Sequence, residues 1–505
     1  MSTRHSRRIA QLALAAALLL TPLAAEAAQL QAGAAKVDIT DRDAAPVNDP
    51  LYAKALVLRS DAATAVIITL DAVAIGELGR VRNSFLPNVR GRLEKELQIR
   101  PSHVLVNASH CHGIVCEDVE QRAVEAVKAA LRNLAPVRVG AGRGREDRIT
   151  ENRRLKLKDG SEADVRHAYS LPPDEDLAGI GPIDPEIGLL RLDREDGQPL
   201  AVVYNFACHP IQGVPSRGNT ADIIGFASKA IEENLGGGAL AIFLQGCAGD
   251  INPVMYKDVH NPRDAEPLGN MLGLSALRAL KTIATRDGGE LEVINQIIAL
   301  PRATDLEQRI ARIEAEQTRL LRSLKGTSLN FKTFLPLFVQ YQTFGDFPSY
   351  ASHRYLLEKS LGREGLSKLD EENRANMERY IQNIHTMEEL TRLQVNMDLL
   401  KKHQAANAAA GKPVVDAEVM GMRIGDFVLI TFPGELTVQI GLGIKKRAPA
   451  PLTFVAGCTN GYLYYAPTAK QRNNTGFAQE DCDCLLAPQW QQIYDQAVDA
   501  ILKRL

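Results

Sequence analysis

Two apolar, strand-like runs end in histidine. Val-Leu-Val-Asn-Ala-Ser leads into His110-Cys111-His112, and Ala-Val-Val-Tyr-Asn-Phe-Ala-Cys leads into His209. Imidazole at the downstream end of a strand delivers a metal ligand or an acid–base group to the rim of a sheet. In an extended segment residues i and i+2 face the same side, so His110 and His112 can reach one pocket, one as ligand and one as acid or base. A His-x-His pair alone is a weak signal. The chain has only ten histidines, however, and three of them sit at two strand ends. Cys111 and Cys208 each adjoin one of these histidines and offer a rival thiol chemistry. Adjacent residues on a strand point to opposite faces, which argues against either pair as nucleophile and base.

The elements that must position these groups alternate through the first 300 or so residues. Strands are expected over 64–70, 102–107, 199–207 and 239–245, and helices over 83–97 and 117–134. Near-continuous apolar strands separated by amphipathic helices predict an α/β fold, a mixed β-sheet core flanked by helices. Ligand sites in such sheets lie at the carboxyl ends of the strands, where His110, His209 and the loop Gly246-Cys-Ala-Gly-Asp250 all fall. Asp71 and Asp222 are placed to accept a ring N–H from a ligand histidine, and Asp222 equally to cap a helix.

A helical insertion is expected at about 304–410. Thr304-Asp-Leu-Glu307 reads as a capping box, followed by Leu306, Ile310, Ile313, Leu320 and Leu324 at helical spacing. A second helix over about 369–402 continues through Met377, Ile381 and Ile384, and the aromatic-rich run 331–355 between them is a packed connection or a lid. The strand pattern returns after Gly411-Lys-Pro413, where Phe427-Val-Leu-Ile-Thr-Phe432 runs into Pro433-Gly434-Glu435. An amphipathic helix is expected from about Pro488.

Residues 1–27 read as a signal peptide: Arg4, Arg7 and Arg8 precede the apolar run 12–20, and small residues follow at Ala25 and Ala27. That run is well short of the roughly 20 residues a spanning helix needs, so an exported protein, periplasmic or secreted, is expected. The 505-residue chain is 45% hydrophobic with a formal net charge of −2, which exerts no pull toward nucleic acid. Seven cysteines are too few for a disulfide scaffold. Cys482-x-Cys484 reads as a metal clip or as a surface loop with a cysteine partner elsewhere.

His110-Cys-His112-Gly113, Asn152-Arg153, the strand ending at His209, Gly249-Asp250-Ile251-Asn252-Pro253, Pro433-Gly-Glu435 and Asn460-Gly-Tyr462-Leu-Tyr-Tyr465 occur in one order along the chain. In order and approximate spacing this set resembles the neutral ceramidases, zinc amidases that cleave the acyl amide of ceramide. The resemblance implies a catalytic domain over 28–505 and one Zn2+ held by His110, His209, Glu435 and Tyr465. It also implies catalytic groups at His112, Arg153 and Asn252, and attack of a zinc-bound water on an N-acyl amide. Arg153 would stabilise the oxyanion and His112 would protonate the departing amine. A second divalent ion, Ca2+ or Mg2+, near Asp250 is left open. The implied partner is a small-molecule amide or lipid, with peripheral contact to a membrane surface an open expectation and the oligomeric state undetermined.

Three departures qualify the substrate. Asn252 stands where the family has serine, Phe477 stands twelve residues after Tyr465 where the family has tyrosine, and no C-terminal immunoglobulin-like domain is expected. Other readings of the same residues stay open. Glu435 could open the next helix, Arg153 could be a solvated surface residue, and Tyr462 and Tyr464 could be core or pocket wall. The alternatives for function are a zinc hydrolase of a peptide or cell-wall amide and a non-catalytic metal- or lipid-binding descendant. The division of roles predicts that His110→Ala and His209→Ala lose zinc on metal analysis, whereas His112→Ala keeps zinc and loses turnover.

Overall fold

Strands that are apolar on both faces need cover on both faces. In the computed structural model, which describes residues 29–505 except 62, 165–171, 255, 257–259, 261–262 and 345–351, they build one eight-stranded mixed sheet. The expected signal peptide and part of the aromatic-rich connection lie outside the described residues. The strand order is Leu240–Gln245, Pro199–Phe206, Glu186–Arg194, Ala135–Arg145, Gln31–Asp38, Tyr52–Arg59, Thr64–Leu70 and Val104–Ala108. The pair at each edge is parallel and every pairing between is antiparallel.

The strands that lead into His110 and His209 stand near opposite ends of this order, yet their ends meet. The sheet twists until its edges face each other, and side chains close the seam. Thr69 Oγ1 donates to Phe243 O (2.7 Å), Lys54 Nζ to Ala241 O (2.8 Å), and Gln245 N to Asn107 Oδ1 (3.0 Å). Residues 457–460 fill the remaining gap. Gly457 N donates to Gln245 O (2.9 Å), Ala108 N to Cys458 O (3.0 Å), and Asn460 N to Val106 O (2.8 Å).

A second sheet of Leu291–Pro301, Val414–Ile424, Phe427–Thr431 and Thr453–Ala456 covers the inner face of the first. Leu56, Ile67, Val203 and Leu244 pack there against Met420, Met422, Phe427 and Phe454. The two sheets approach closely at Gly188, where a Cβ would come within 2.4 Å of the Phe454 ring. Helices Phe85–Leu97 and Val119–Arg132 cover one half of the outer face, and Asp222–Leu235 and Ala265–Leu280 cover the other. Val438–Arg447 and Trp490–Leu502 cover the far side of the second sheet. The architecture is therefore the expected mixed α/β core flanked by helices, in four layers, with a sheet on the inner face where another helix layer would serve.

The helical stretch holds Leu306–Ser323, Phe331–Phe344, Ser352–Ser360 and the 46-residue helix Gly365–Ala410. Ile310, Ile313 and Leu320 pack on Leu393, Met397 and Leu400. The expected capping box does not form, because the N-cap residue is Asp305, whose carboxylate pairs with Arg472 (2.8 Å) instead of the helix backbone. Gly411 ends the long helix in the left-handed region at φ +59°. Among the described residues no helix is long and apolar enough to cross a membrane.

Buried polar groups tie this helical stretch to residues 472–483. Arg309 Nη1 donates to Arg472 O (2.5 Å), Arg392 Nη1 to Gly476 O and Phe477 O (2.9 Å each), and His403 Nε2 meets Asp483 Oδ1 at 2.6 Å. The same segment carries Glu480 and Asp481, which pair with Arg154 Nη1 at 2.9 Å each, all with side chains at most 1% exposed. Removing one partner of such a cluster strands buried charge. Arg154→Ala should cost about 3–5 kcal/mol, read as a lower urea midpoint; an unchanged midpoint would show that the cluster adds nothing to stability.

Candidate metal centre

The strand before His110 stops at Ala108, and His110 adopts the left-handed region at φ +69°. The extended i, i+2 alternation therefore does not carry through this segment. The turn buries the His110 ring and leaves His112 exposed, with ring centroids 5.9 Å apart and planes at 87°. His209 follows Pro199–Phe206 and is buried. Glu435 does not open a helix. It sits in a two-residue strand paired with Tyr465, and the next helix begins at Val438. The carboxylate at that helix start belongs to Asp250, whose Oδ1 accepts from Val438 N (2.7 Å).

His110, His209 and Glu435 converge. Their ligand atoms lie within 4.8 Å of one another, and among the described residues this is the one His/Cys/Asp/Glu group that does so. His209 Nε2 is 2.9 Å and His110 Nε2 3.3 Å from Glu435 Oε2. Atoms bound at about 2.0–2.2 Å to a tetrahedral zinc lie roughly 3.3 Å apart, so the spacing fits such an ion. The tautomers fit as well. His110 Nδ1 meets Val73 O at 2.6 Å and His209 Nδ1 meets Ile251 O at 3.0 Å, so each Nδ1–H is held by a carbonyl and each Nε2 lone pair faces the centre. Backbone carbonyls thus do what Asp71 and Asp222 were expected to do. Asp71 instead accepts from Tyr52 N (2.9 Å), and Asp222 from Gly213 N (2.6 Å) and Ile223 N (2.8 Å). Nor is Asp222 the N-cap, which is Ala221.

The electrostatics describe a buried anion that needs a cation. Burial raises the cost of charging Glu435, yet His110 and His209 hold its carboxyl well below the usual range. Burial likewise opposes charge on His110, and Glu435 outweighs it and pushes that imidazole well above its ordinary value. Burial and then the charge of Arg153 push His209 down to about 3, leaving it a neutral donor.

Tyr465 stacks beside His209, with centroids 6.5 Å apart and planes at 25°. Arg153 lies over the Tyr465 ring at 5.4 Å. Far from being a solvated surface residue, Arg153 is wholly buried, with Nε on Glu480 (2.7 Å), Nη1 on Asn252 Oδ1 (3.2 Å) and Nη2 on Gly249 O. Asn252 is therefore used as an acceptor that holds Arg153. Phe477 is remote in character: it packs with the helical insertion, under Arg309 at 5.8 Å, and lines a cavity of about 720 Å³ that no metal-centre residue borders.

Tyr462 was not singled out as a site residue in the sequence. Its hydroxyl donates to Glu435 Oε1, and its ring stacks on His110 at 6.5 Å. Sequence placed it in a tyrosine cluster, but the fold of residues 457–465 over the seam decides which ring turns inward. Tyr464 points elsewhere, against His403 at 4.8 Å. Among the described residues no second metal-type group forms at Asp250: its Oδ2 accepts from Asn152 Nδ2 (3.0 Å), and burial pushes its carboxyl up to about 6. Burial also raises the thiols of Cys111 and Cys208 away from thiolate, which argues against either as a nucleophile. Cys482 and Cys484 are buried and unbridged, neither a surface loop nor part of the metal-type group.

No protein-family model matches the chain, and no curated protein matches it. Among solved structures it is similar to neutral ceramidase from Pseudomonas aeruginosa, with a TM-score of 0.58 at 17% identity, covering 95% of this chain and 75% of that one. A ceramidase described as complexed with C2 gives a TM-score of 0.60 at 17% identity, covering 95% of this chain and 76% of that one. The chain has the neutral ceramidase fold. At this identity the likeness speaks for architecture, and the chemistry rests on the residues above.

Because Tyr462 holds Oε1 of Glu435, it leaves Oε2 to face the histidines. Tyr462→Phe should weaken zinc binding by about 10–100-fold, measured by competition with a chromogenic chelator, while His112→Ala should leave that affinity in place. Unaltered affinity in Tyr462→Phe would reduce Tyr462 to packing.

Proposed function

We propose that the protein is a zinc-dependent amide hydrolase of ceramidase type that acts on an N-acyl amide. The observation that carries this reading is the convergence of His110 and His209, each with Nδ1 held by a carbonyl, on Glu435 Oε2. In this reading His110, His209, Glu435 and Tyr465 hold the ion, and Arg153 lies over the Tyr465 ring. Zinc held there supplies a Lewis acid that polarises a carbonyl and lowers the pKa of water.

The remaining work falls to side chains. Arg153 has its donors engaged, so it acts on a developing oxyanion through its charge, and Asn252 keeps it in place. His112, exposed beside His110, faces solvent and in this reading protonates the leaving amine. Asn252 offers no nucleophile, so a covalent intermediate at that position is excluded. The exported location expected from residues 1–27 would place the enzyme where acyl lipids and envelope amides are exposed.

One observation favours the second reading, a zinc hydrolase of a peptide or cell-wall amide. The pocket bordering His112 is small, about 300 Å³, and its mixed lining sets Arg217, Asn219, Thr220 and Arg263 among Ala45, Ile114, Pro210 and Ile211. Metal content of protein purified without chelator, with hydrolysis of a fluorogenic N-acyl-sphingosine and of N-acyl amino acids before and after zinc removal, tests both. About one zinc per chain with chelator-sensitive cleavage is expected; no zinc would overturn the proposal.

A further inference from the structure

The pocket that opens on His112 also borders Pro210, the residue after the buried His209, so chain neighbours of both ligand histidines line it. Two guanidinium groups line it, Arg217 and Arg263, both exposed. Among the described residues neither has a carboxylate within ion-pair distance, whereas Arg153, Arg154 and Arg472 are all paired. The one carboxylate in the lining, Asp222, is buried and turned to the backbone N–H groups of Gln212, Gly213 and Ile223. It therefore does little to neutralise the pocket.

The side chain of Arg263 and the backbone of Arg217 are held in place. Arg263 runs past Gly213, where a Cβ would lie 3.6 Å from its Cδ, and its guanidinium sits over Tyr256 at 5.4 Å. Arg217 ends a turn in which its N–H donates to Val214 O (3.0 Å), in the left-handed region at φ +56°. Two cations at one pocket in a chain of net charge −2 are a local feature and not a general basicity.

We propose that this pocket binds an anionic group on the amine half of the substrate, so that the amide cleaved is an N-acyl amino acid or a related acidic amine. The inference rests on the amide-hydrolase reading, which puts the amine half on the side of His112. Hydrolysis breaks the C–N bond and forms a C–O bond from water, and the proton that water loses passes by way of His112 to the amine. At about 300 Å³ the pocket is at the small end of ligand sites and suits a compact polar amine better than a sphingoid chain. Guanidinium binds carboxylate, sulfonate and phosphate by the same charge-assisted hydrogen bonds, so the recognised property is the negative charge.

The test uses the zinc-loaded full chain with N-lauroylglycine, N-lauroylglycinamide, N-lauroyltaurine and N-lauroylphosphoethanolamine. At least one acid should show a KM below that of the glycinamide by on the order of tenfold or more, and which acid does so names the anion. Arg217→Gln/Arg263→Gln, with zinc content and circular dichroism retained, should erase that preference, and Arg263→Lys alone should keep part of it. Equal KM for acids and amide, or a preference that survives the double substitution, overturns the inference. If no amide is cleaved, calorimetry on the same four compounds decides separately. Acid-selective binding lost in the double variant upholds the pocket while the hydrolase reading falls, and absence of acid-selective binding overturns the pocket itself.

Discussion

A carboxylate buried at 4% exposure opposite two buried imidazoles is the constraint on which the rest of this structure depends. Such a charge is tolerated only with a cation beside it, whether a proton on His110 or a metal ion. Meeting that demand takes three chain segments that are far apart in sequence, and the fold is arranged to bring them together. Glu435 is fixed by a two-residue strand against Tyr465, and the Gly249 loop presses close enough that a Cβ there would lie 2.8 Å from Glu435 O. Non-glycine residues in the left-handed region gather at the same place, His110, Cys458, Asn460 and Tyr464. Each costs free energy that only a tightly determined surrounding sustains, and such residues concentrate at functional sites.

Behind the centre lies a layer of buried ion pairs, in which Arg153 links Tyr465 to Glu480 and Arg154 links Glu480 and Asp481 to Glu162. Buried pairs add little net stability compared with an apolar core, but they penalise any arrangement that separates them. Here they hold residues 472–483 against the centre on one side, while Arg309, Arg392 and His403 hold the same residues against the helical insertion on the other. The insertion is thereby coupled mechanically to the position of Tyr465 without contributing a group to the centre.

Periodicity made four of the eight strands of the main sheet and two of the helices on its outer face legible to within a residue or two at most ends, because near-continuous apolar runs and amphipathic runs are local properties; Gln31–Asp38, Tyr52–Arg59, Ala135–Arg145 and Glu186–Arg194 were not read as strands. The histidines were legible for the same reason, since His110 and His209 each follow a strand run, whereas Glu435 and Tyr465 as ligands came only from the resemblance to the neutral ceramidases. The second sheet was not legible as the cover of the first, since Met420, Phe427 and Phe454 give no local sign of which face they meet. The capping box failed because Asp305 found a better partner in Arg472, more than a hundred residues away, and no local pattern reports such competition.

Sequence by itself determined the fold class, the compartment to be expected and the histidines at two strand ends, because these follow from composition and spacing, while the resemblance to a family supplied the carboxylate and tyrosine positions from which a centre could be built. Tertiary structure alone decided which of them meet. It turned His110 inward through a left-handed residue, gave the ring N–H groups to Val73 and Ile251 carbonyls in place of aspartates, and chose Tyr462 to hold Glu435. It also placed Arg217 and Arg263 beside His112. Contacts across a closed seam depend on the twist of the whole sheet, and no window of neighbouring residues contains that information.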